Sequence, residues 1–242
     1  MSRVLAISPH LDDAVFSAGG TLARHAIDGD EVTILTCFTG NVANPQGFAL
    51  ACQLDKGLSA EIDYMALRRA EDLAACEAIG AKALHLPFLE APHRGYADAK
   101  SLFAERKAAD ALIVADLRAA IASLYDKLLP SIVYGPLGVG DHVDHHVVRD
   151  AIAEQSEGVP VVWWEDFPYA MKSEAVSEGV VRRPLDAPSA AAKLRSVLCY
   201  KSQLGFQFGS AERAADILSQ WTMEGFVKRR SEIGFVLPQD ID

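Results

Sequence analysis

Two segments far apart in the chain hold residues whose types and spacing could do chemistry together: Ser8-Pro9-His10-Leu11-Asp12-Asp13 and Asp141-His142-Val143-Asp144-His145-His146. In the first, His10 and Asp13 are three apart on a turn between an apolar run and a helix, so both can face one cavity. Asp12 projects along a different direction and is available as a base rather than a ligand. In the second, His142, His145 and His146 place three of the chain's seven histidines within five positions. Imidazole nitrogen and carboxylate oxygen are the donors of catalytic zinc sites, with three protein ligands and a position left for water. Each segment alone has a plainer reading, a carboxylate capping a helix in the first and a solvated histidine-rich loop in the second. Taken together they favour one divalent metal, and with it a hydrolase.

The elements that must position these residues can be read from the flanking sequence. Val4-Leu5-Ala6-Ile7 precedes the first cluster and Ile132-Val133-Tyr134-Gly135-Pro136 the second. Each cluster therefore ends a buried strand, where open α/β sheets place their active sites. The apolar runs predict strands over 3–7, 31–37, 83–86, 131–134 and 159–164. Helices are predicted over 14–25, 64–79, 108–128 and 144–155. The apolar stripes assigned to two of them are Leu67, Leu73, Cys76 and Ile79, and Leu112, Leu117, Ile121, Leu124 and Leu128. Alternating strands and helices imply a single α/β domain over 1–242, with a Rossmann-like, mostly parallel sheet flanked by helices. Residues 40–60 and 90–101 read as long loops, which in a compact domain are usually functional.

Composition narrows the function class. Half of the 242 residues are hydrophobic and 23% are charged, which excludes a disordered chain. The net charge of −10 argues against nucleic acid, since nothing basic is available to neutralise phosphates. Lysines and arginines are scattered among acids, which argues against an anionic membrane surface. No apolar run approaches the roughly 18 residues of a membrane-spanning helix, and no signal peptide is evident. The four cysteines form no CxxC pair, so a reducing compartment, the cytoplasm, is expected. The first strand–helix turn lacks GxGxxG and carries carboxylates, which excludes a dinucleotide-binding dehydrogenase.

The pair His10-x-Asp12-Asp13 and His142-x-Asp144-His145 resembles the motifs of the PIG-L/LmbE-like N-acetylglucosaminyl deacetylases. That resemblance implies a zinc-dependent amidase that removes the acetyl group from an N-acetylated amino-sugar conjugate. It makes His10, Asp13 and His145 the metal ligands and Asp12 the general base. His142 helps to polarise the carbonyl, and Asp144 is its neighbour behind the site. The chain departs from the family pattern at Leu11, where Pro is usual, and at Ala14, where Glu is usual; neither change removes a ligand.

The residues themselves support such a mechanism. A metal with an open position acidifies water, and Asp12 can take the water's proton and pass it to the departing amine. Protonated His142 is expected to stabilise the developing oxyanion, and Asp144 to hold the histidine pair in the required tautomers. Arg68, Glu90, Arg94 and Asp166 are the expected substrate-binding residues. Arg68 opens a family-like Arg-x-x-Glu segment, and the others follow the third and fifth strands. His146 and the segment Lys201-Ser202-Gln203 receive no role. Zinc is the expected cofactor, although two histidines and a carboxylate also suit iron(II). The expected partner is a small-molecule glycoconjugate, and a homo-oligomer stays open. Two other readings use the same residues: a metal-dependent amidase or esterase of a non-sugar small molecule, and a non-catalytic binding protein on the same fold.

Overall fold

The computed structural model describes residues 1–155, 158–171 and 179–228. Its seven strands are β1 (Arg3–Ser8), β2 (Glu31–Thr36), β3 (Lys82–His85), β4 (Ile132–Pro136), β5 (Val161–Trp164), β6 (Val181–Pro184) and β7 (Met223–Lys228). They form one sheet in the order β3-β2-β1-β4-β5-β7-β6. The five strands from β3 to β5 are parallel, and β7 and β6 close the far edge antiparallel. The chain runs outward from β1 in both directions, so the switch point lies between β1 and β4. A crevice opens there at the carboxyl ends of the strands.

Strand periodicity shows why the sheet is buried on both faces. Val4 and Ala6 of β1 join one hydrophobic core while Leu5 and Ile7 join the other. Trp164 and Trp163 of β5 divide in the same way, which makes both core residues. Helices α1 (Asp13–Ile27), α3 (Tyr64–Ala78) and α6 (Ala187–Val197) pack on one side, and α4 (Asp110–Leu128) and α5 (Val143–Gln155) on the other.

Three expectations are corrected. Residues 40–60 are not wholly a loop, because α2 (Gly47–Leu54) forms within them. Leu112 and Leu73 are exposed, at 71% and 55%. The buried face of α4 is Val114, Leu117, Ile121 and Tyr125, and Leu112 lies five residues from Leu117, well off that stripe. Beyond β5 the chain adds β6, β7 and three helices, α6, α7 (Lys201–Phe208) and α8 (Ala211–Gln220), that the sequence reading did not assign. Buried Glu224 ties this addition to α1, accepting hydrogen bonds from the Gly20 and Thr21 amides and from Lys193. Among the described residues no helix is long and apolar enough to cross a membrane.

Candidate metal centre

The turn after β1 does not use its carboxylates to cap α1. The Ala14 amide donates to Ser8 Oγ at 3.0 Å, and Asp12, at the cap position, makes no capping bond. Both acids are thereby left to face the crevice. Asp13 Oδ2 accepts the His10 amide at 2.9 Å and lies 3.0 Å from His10 Nδ1. From the other side of the switch point, α5 brings His145 Nε2 to 3.3 Å from the same oxygen. The ligand atoms of His10, Asp13 and His145 all lie within 4.8 Å of one another.

Two further carboxylates set the direction in which these rings present their lone pairs. Asp144 Oδ2 lies 2.9 Å from His10 Nε2, and Asp166 Oδ1 lies 2.8 Å from His145 Nδ1. If each carboxylate accepts an N–H, His10 Nδ1 and His145 Nε2 carry lone pairs aimed at Asp13. His145 is fully buried, and its Nε2 has no hydrogen-bond partner. Converging lone pairs on two imidazoles and a carboxylate are what a divalent cation requires, so the donor set fits a metal. His10, His142 and Asp144 are equally close together. There, however, both Asp144 oxygens are engaged, by His10 and the Ala91 amide on one side and by Arg94 at 2.7 Å on the other.

The electrostatics also call for a cation. Asp12, Asp13, Asp144 and Asp166 crowd this end of the crevice. Burial opposes a charged His145, but Asp13 and Asp166 outweigh it and push the imidazolium up to about 10. Burial likewise opposes ionisation of Asp13, yet His145 and His10 hold it well below the usual carboxylate range. Without a metal, protons on the histidines supply the positive charge. Burial lifts Asp12 to about 6 against the pull of the Arg68 guanidinium, 3.6 Å away. His142 departs from expectation: burial lowers it to about 3, so it is a neutral imidazole at neutral pH. Its Nδ1 accepts the Asp144 amide at 3.2 Å, which leaves Nε2 to carry the proton.

A cavity of about 480 Å³ extends from this centre. His10, Asp12, Asp13, His142, Arg68 and Glu90 line it, and Arg68 donates to Glu90 at 2.5 Å. Two expected substrate contacts lie elsewhere. Arg94 is absent from the lining and is held by Asp144, Asp110 and the Leu89 carbonyl. Asp166 is 1% exposed, its second oxygen accepting the Gly138 and Val139 amides. Both act from behind the centre. Asp144 orients His10 through its side chain and meets His142 only through its backbone amide. His146 faces away, toward Asp141 at 3.2 Å. The sequence reading missed Tyr64, Phe103, Lys56 and Phe206 on the cavity wall. They are single residues on separate elements, with no local pattern to reveal them.

A doubly wound sheet with a His₂Asp donor set at its switch point, and a further carboxylate beside it, defines the class: an α/β protein built around a candidate metal centre. The chain belongs to the family described as PIG-L: GlcNAc-PI de-N-acetylase, whose model it matches over residues 5–156. It is 32% identical over 177 residues to the 2'-N-acetylparomamine deacetylase of Streptomyces fradiae, covering 72% of this chain and 60% of that protein. It is 33% identical over 164 residues to the 1D-myo-inositol 2-acetamido-2-deoxy-alpha-D-glucopyranoside deacetylase of Rhodococcus erythropolis, covering 63% and 53%. The chain thus spans between about half and three-fifths of the length of these curated relatives. Among solved structures, the zinc-inhibited form of teicoplanin deacetylase superposes with a TM-score of 0.79 at 27% identity, over 95% of this chain and 100% of that one. The A40926 pseudoaglycone deacetylase gives 0.80 at 30% identity, over 93% and 96%.

Proposed function

We propose that this chain is a metal-dependent N-deacetylase of an amino-sugar conjugate, with His10, Asp13 and His145 holding the metal. One observation carries the reading: two imidazole nitrogens and a carboxylate converge beside Asp12, which neither caps its helix nor joins the donor set. Zinc suits these donors, and iron(II) suits them too. When bound, the metal supplies a Lewis acid that acidifies water and polarises an amide carbonyl.

The chain's own residues supply the rest. Asp12 takes a proton from water as the water oxygen attacks the carbonyl carbon. The same proton goes to the amide nitrogen as the carbon–nitrogen bond breaks, leaving a carboxylic acid and a free amine. Neutral His142 donates its Nε2–H to the carbonyl oxygen as negative charge develops there. Phe103 stacks edge-on against the His142 ring at 5.3 Å and shields it from water. Asp144 and Asp166 position the ligand histidines, and Arg94 holds Asp144. Arg68 and Glu90 offer a donor and an acceptor to sugar hydroxyls. The described residues share one sheet, which supports a single catalytic domain over 1–242. The four cysteines are unpaired, which supports a reducing compartment, the cytoplasm.

The test is amine release from N-acetylglucosamine and its glycosides by protein stripped with a chelator and then reloaded with zinc or iron(II). Release should vanish on stripping and return on reloading. Full turnover by the stripped protein would contradict the metal. Turnover confined to esters or non-sugar amides would replace the substrate.

A further inference from the structure

Beyond the metal centre, the cavity continues along a wall for which hydrolysis of the amide has no use. The Arg68 guanidinium that faces Asp12 lies 5.4 Å from the centre of the Tyr64 ring. The Lys56 ammonium lies 5.6 Å from the same ring and 4.4 Å from the centre of the Phe206 ring. Cation and ring thus alternate from the base to the mouth of the cavity. Gln203 donates to the Tyr64 hydroxyl at 3.3 Å, which gives the otherwise unassigned 201–203 segment a place behind this wall. Lys56 also donates to the Cys52 carbonyl at 2.8 Å. Its charge is therefore shared between a carbonyl and two π-faces, and what remains for a ligand is ring and methylene surface.

That surface is open. Phe206 is 56% exposed and Ile62 40%, and both line the cavity together with Phe48 of α2. Large apolar side chains exposed in a concave surface with polar edges mark where apolar ligand surface is received. Asp55, Glu61 and Asp63 also line this end, which disfavours an anionic ligand.

We propose that the substrate's amino sugar carries an apolar aglycone, aryl or alkyl, that lies on the Tyr64–Ile62–Phe206 wall. The inference rests on the deacetylase reading for the position of the sugar. The scissile amide belongs beside Asp12, and Arg68 and Glu90 stand between Asp12 and the wall. The group on the anomeric carbon, next to the amide-bearing carbon, continues outward onto the rings, while the acyl group stays at the His142 end.

The test compares kcat/KM for the methyl, phenyl and octyl glycosides of N-acetylglucosamine, in the wild type and in Phe206→Ser and Ile62→Ser, with folding checked by thermal melting. The octyl and phenyl glycosides should exceed the methyl glycoside by about tenfold, mainly through KM, and either substitution should bring the ratio toward one. Equal kcat/KM across the aglycones, a ratio that survives both substitutions, or a preference for cationic aglycones would overturn the proposal. So would a gain that follows acyl-chain length on the methyl glycoside instead. Calorimetric binding of the same glycosides to metal-loaded Asp12→Asn reads the wall without turnover. The same order of affinities there, with no amine released by wild type, would overturn the deacetylase reading and keep the wall. Equal affinities would overturn the wall whatever the chemistry.

Discussion

Two buried histidine–aspartate pairs sit at opposite ends of the sheet, and only one belongs to the proposed metal centre. At the amino ends of the strands, His25 of α1 is 3% exposed, with Nδ1 2.9 Å from Asp30 and Nε2 2.9 Å from the Tyr134 hydroxyl. At the carboxyl ends, His145 of α5 has Nδ1 2.8 Å from Asp166, and its Nε2, 3.3 Å from Asp13 Oδ2, has no hydrogen-bond partner. The first ring is satisfied on both nitrogens and acts as a strut between helix and sheet. The second is satisfied on one, and the other nitrogen is aimed at a carboxylate. A carboxylate behind a histidine orients it in either case; the free nitrogen is what separates a ligand from a strut.

Substitution of the two histidines breaks the comparison most sharply. His145→Ala is expected to abolish metal binding and lower kcat/KM by at least about 10³-fold, with the fold retained, as read by metal analysis, amine release and circular dichroism. His25→Ala leaves Asp30 and Tyr134 without their buried partner, and should cost about 1–3 kcal/mol in denaturant unfolding while metal binding is unchanged. Comparable metal loss in both variants would show that the free nitrogen is not the distinguishing feature.

The paired carboxylates sharpen it further. Asp166 accepts three donors, from His145, Gly138 and Val139, and an amide cannot receive all three without turning its own N–H groups on one of them. Asp166→Asn should therefore weaken metal affinity by about 10–100-fold in a chelator competition, and also lower metal-free stability, because one buried donor is left facing an N–H. Asp30→Asn should act on stability alone. Burial opposes ionisation of Asp30, but the Ser2 amide and His25 hold its folded pKa below the ordinary value. The stabilisation is full above the unfolded value of ~3.9 and is lost as pH falls through the lower folded value. At neutral pH the variant should be less stable by under about 1 kcal/mol, and the gap should close on acidification across that window. A gap that widened in acid would reverse the sign assigned to this carboxylate.

How much of this was legible follows from where the information lies. The parallel core was readable because strands buried on both faces appear as unbroken apolar runs, as in Val4–Ile7 and Ile132–Tyr134. The two polar clusters were readable because rare residue types crowd at the ends of those runs. Tautomer control was not, since Asp144 had to be matched to His10 across 134 positions and Asp166 to His145 across 21. Asp166 looked like a pocket residue because it follows a strand end. Its burial is decided by the β4–α5 turn, whose amides need an acceptor. The neutral state of His142 is likewise a consequence of burial, which spacing does not encode. The wall of Tyr64, Ile62 and Phe206 was illegible for a further reason. It is assembled from the α2–α3 connection, the start of α3 and α7, outside the repeating βα units, and an exposed Phe in sequence looks like a buried one.

The most direct test of the central claim compares metal content and amine release in the same preparations of wild type and Asp12→Asn. If Asp12 is the base and no ligand, the variant binds about one equivalent of metal as the wild type does, and loses turnover by roughly 10²–10⁴-fold. Undiminished turnover in a metal-loaded Asp12→Asn protein, or loss of the metal itself, would contradict the role assigned to Asp12 and the centre built around it.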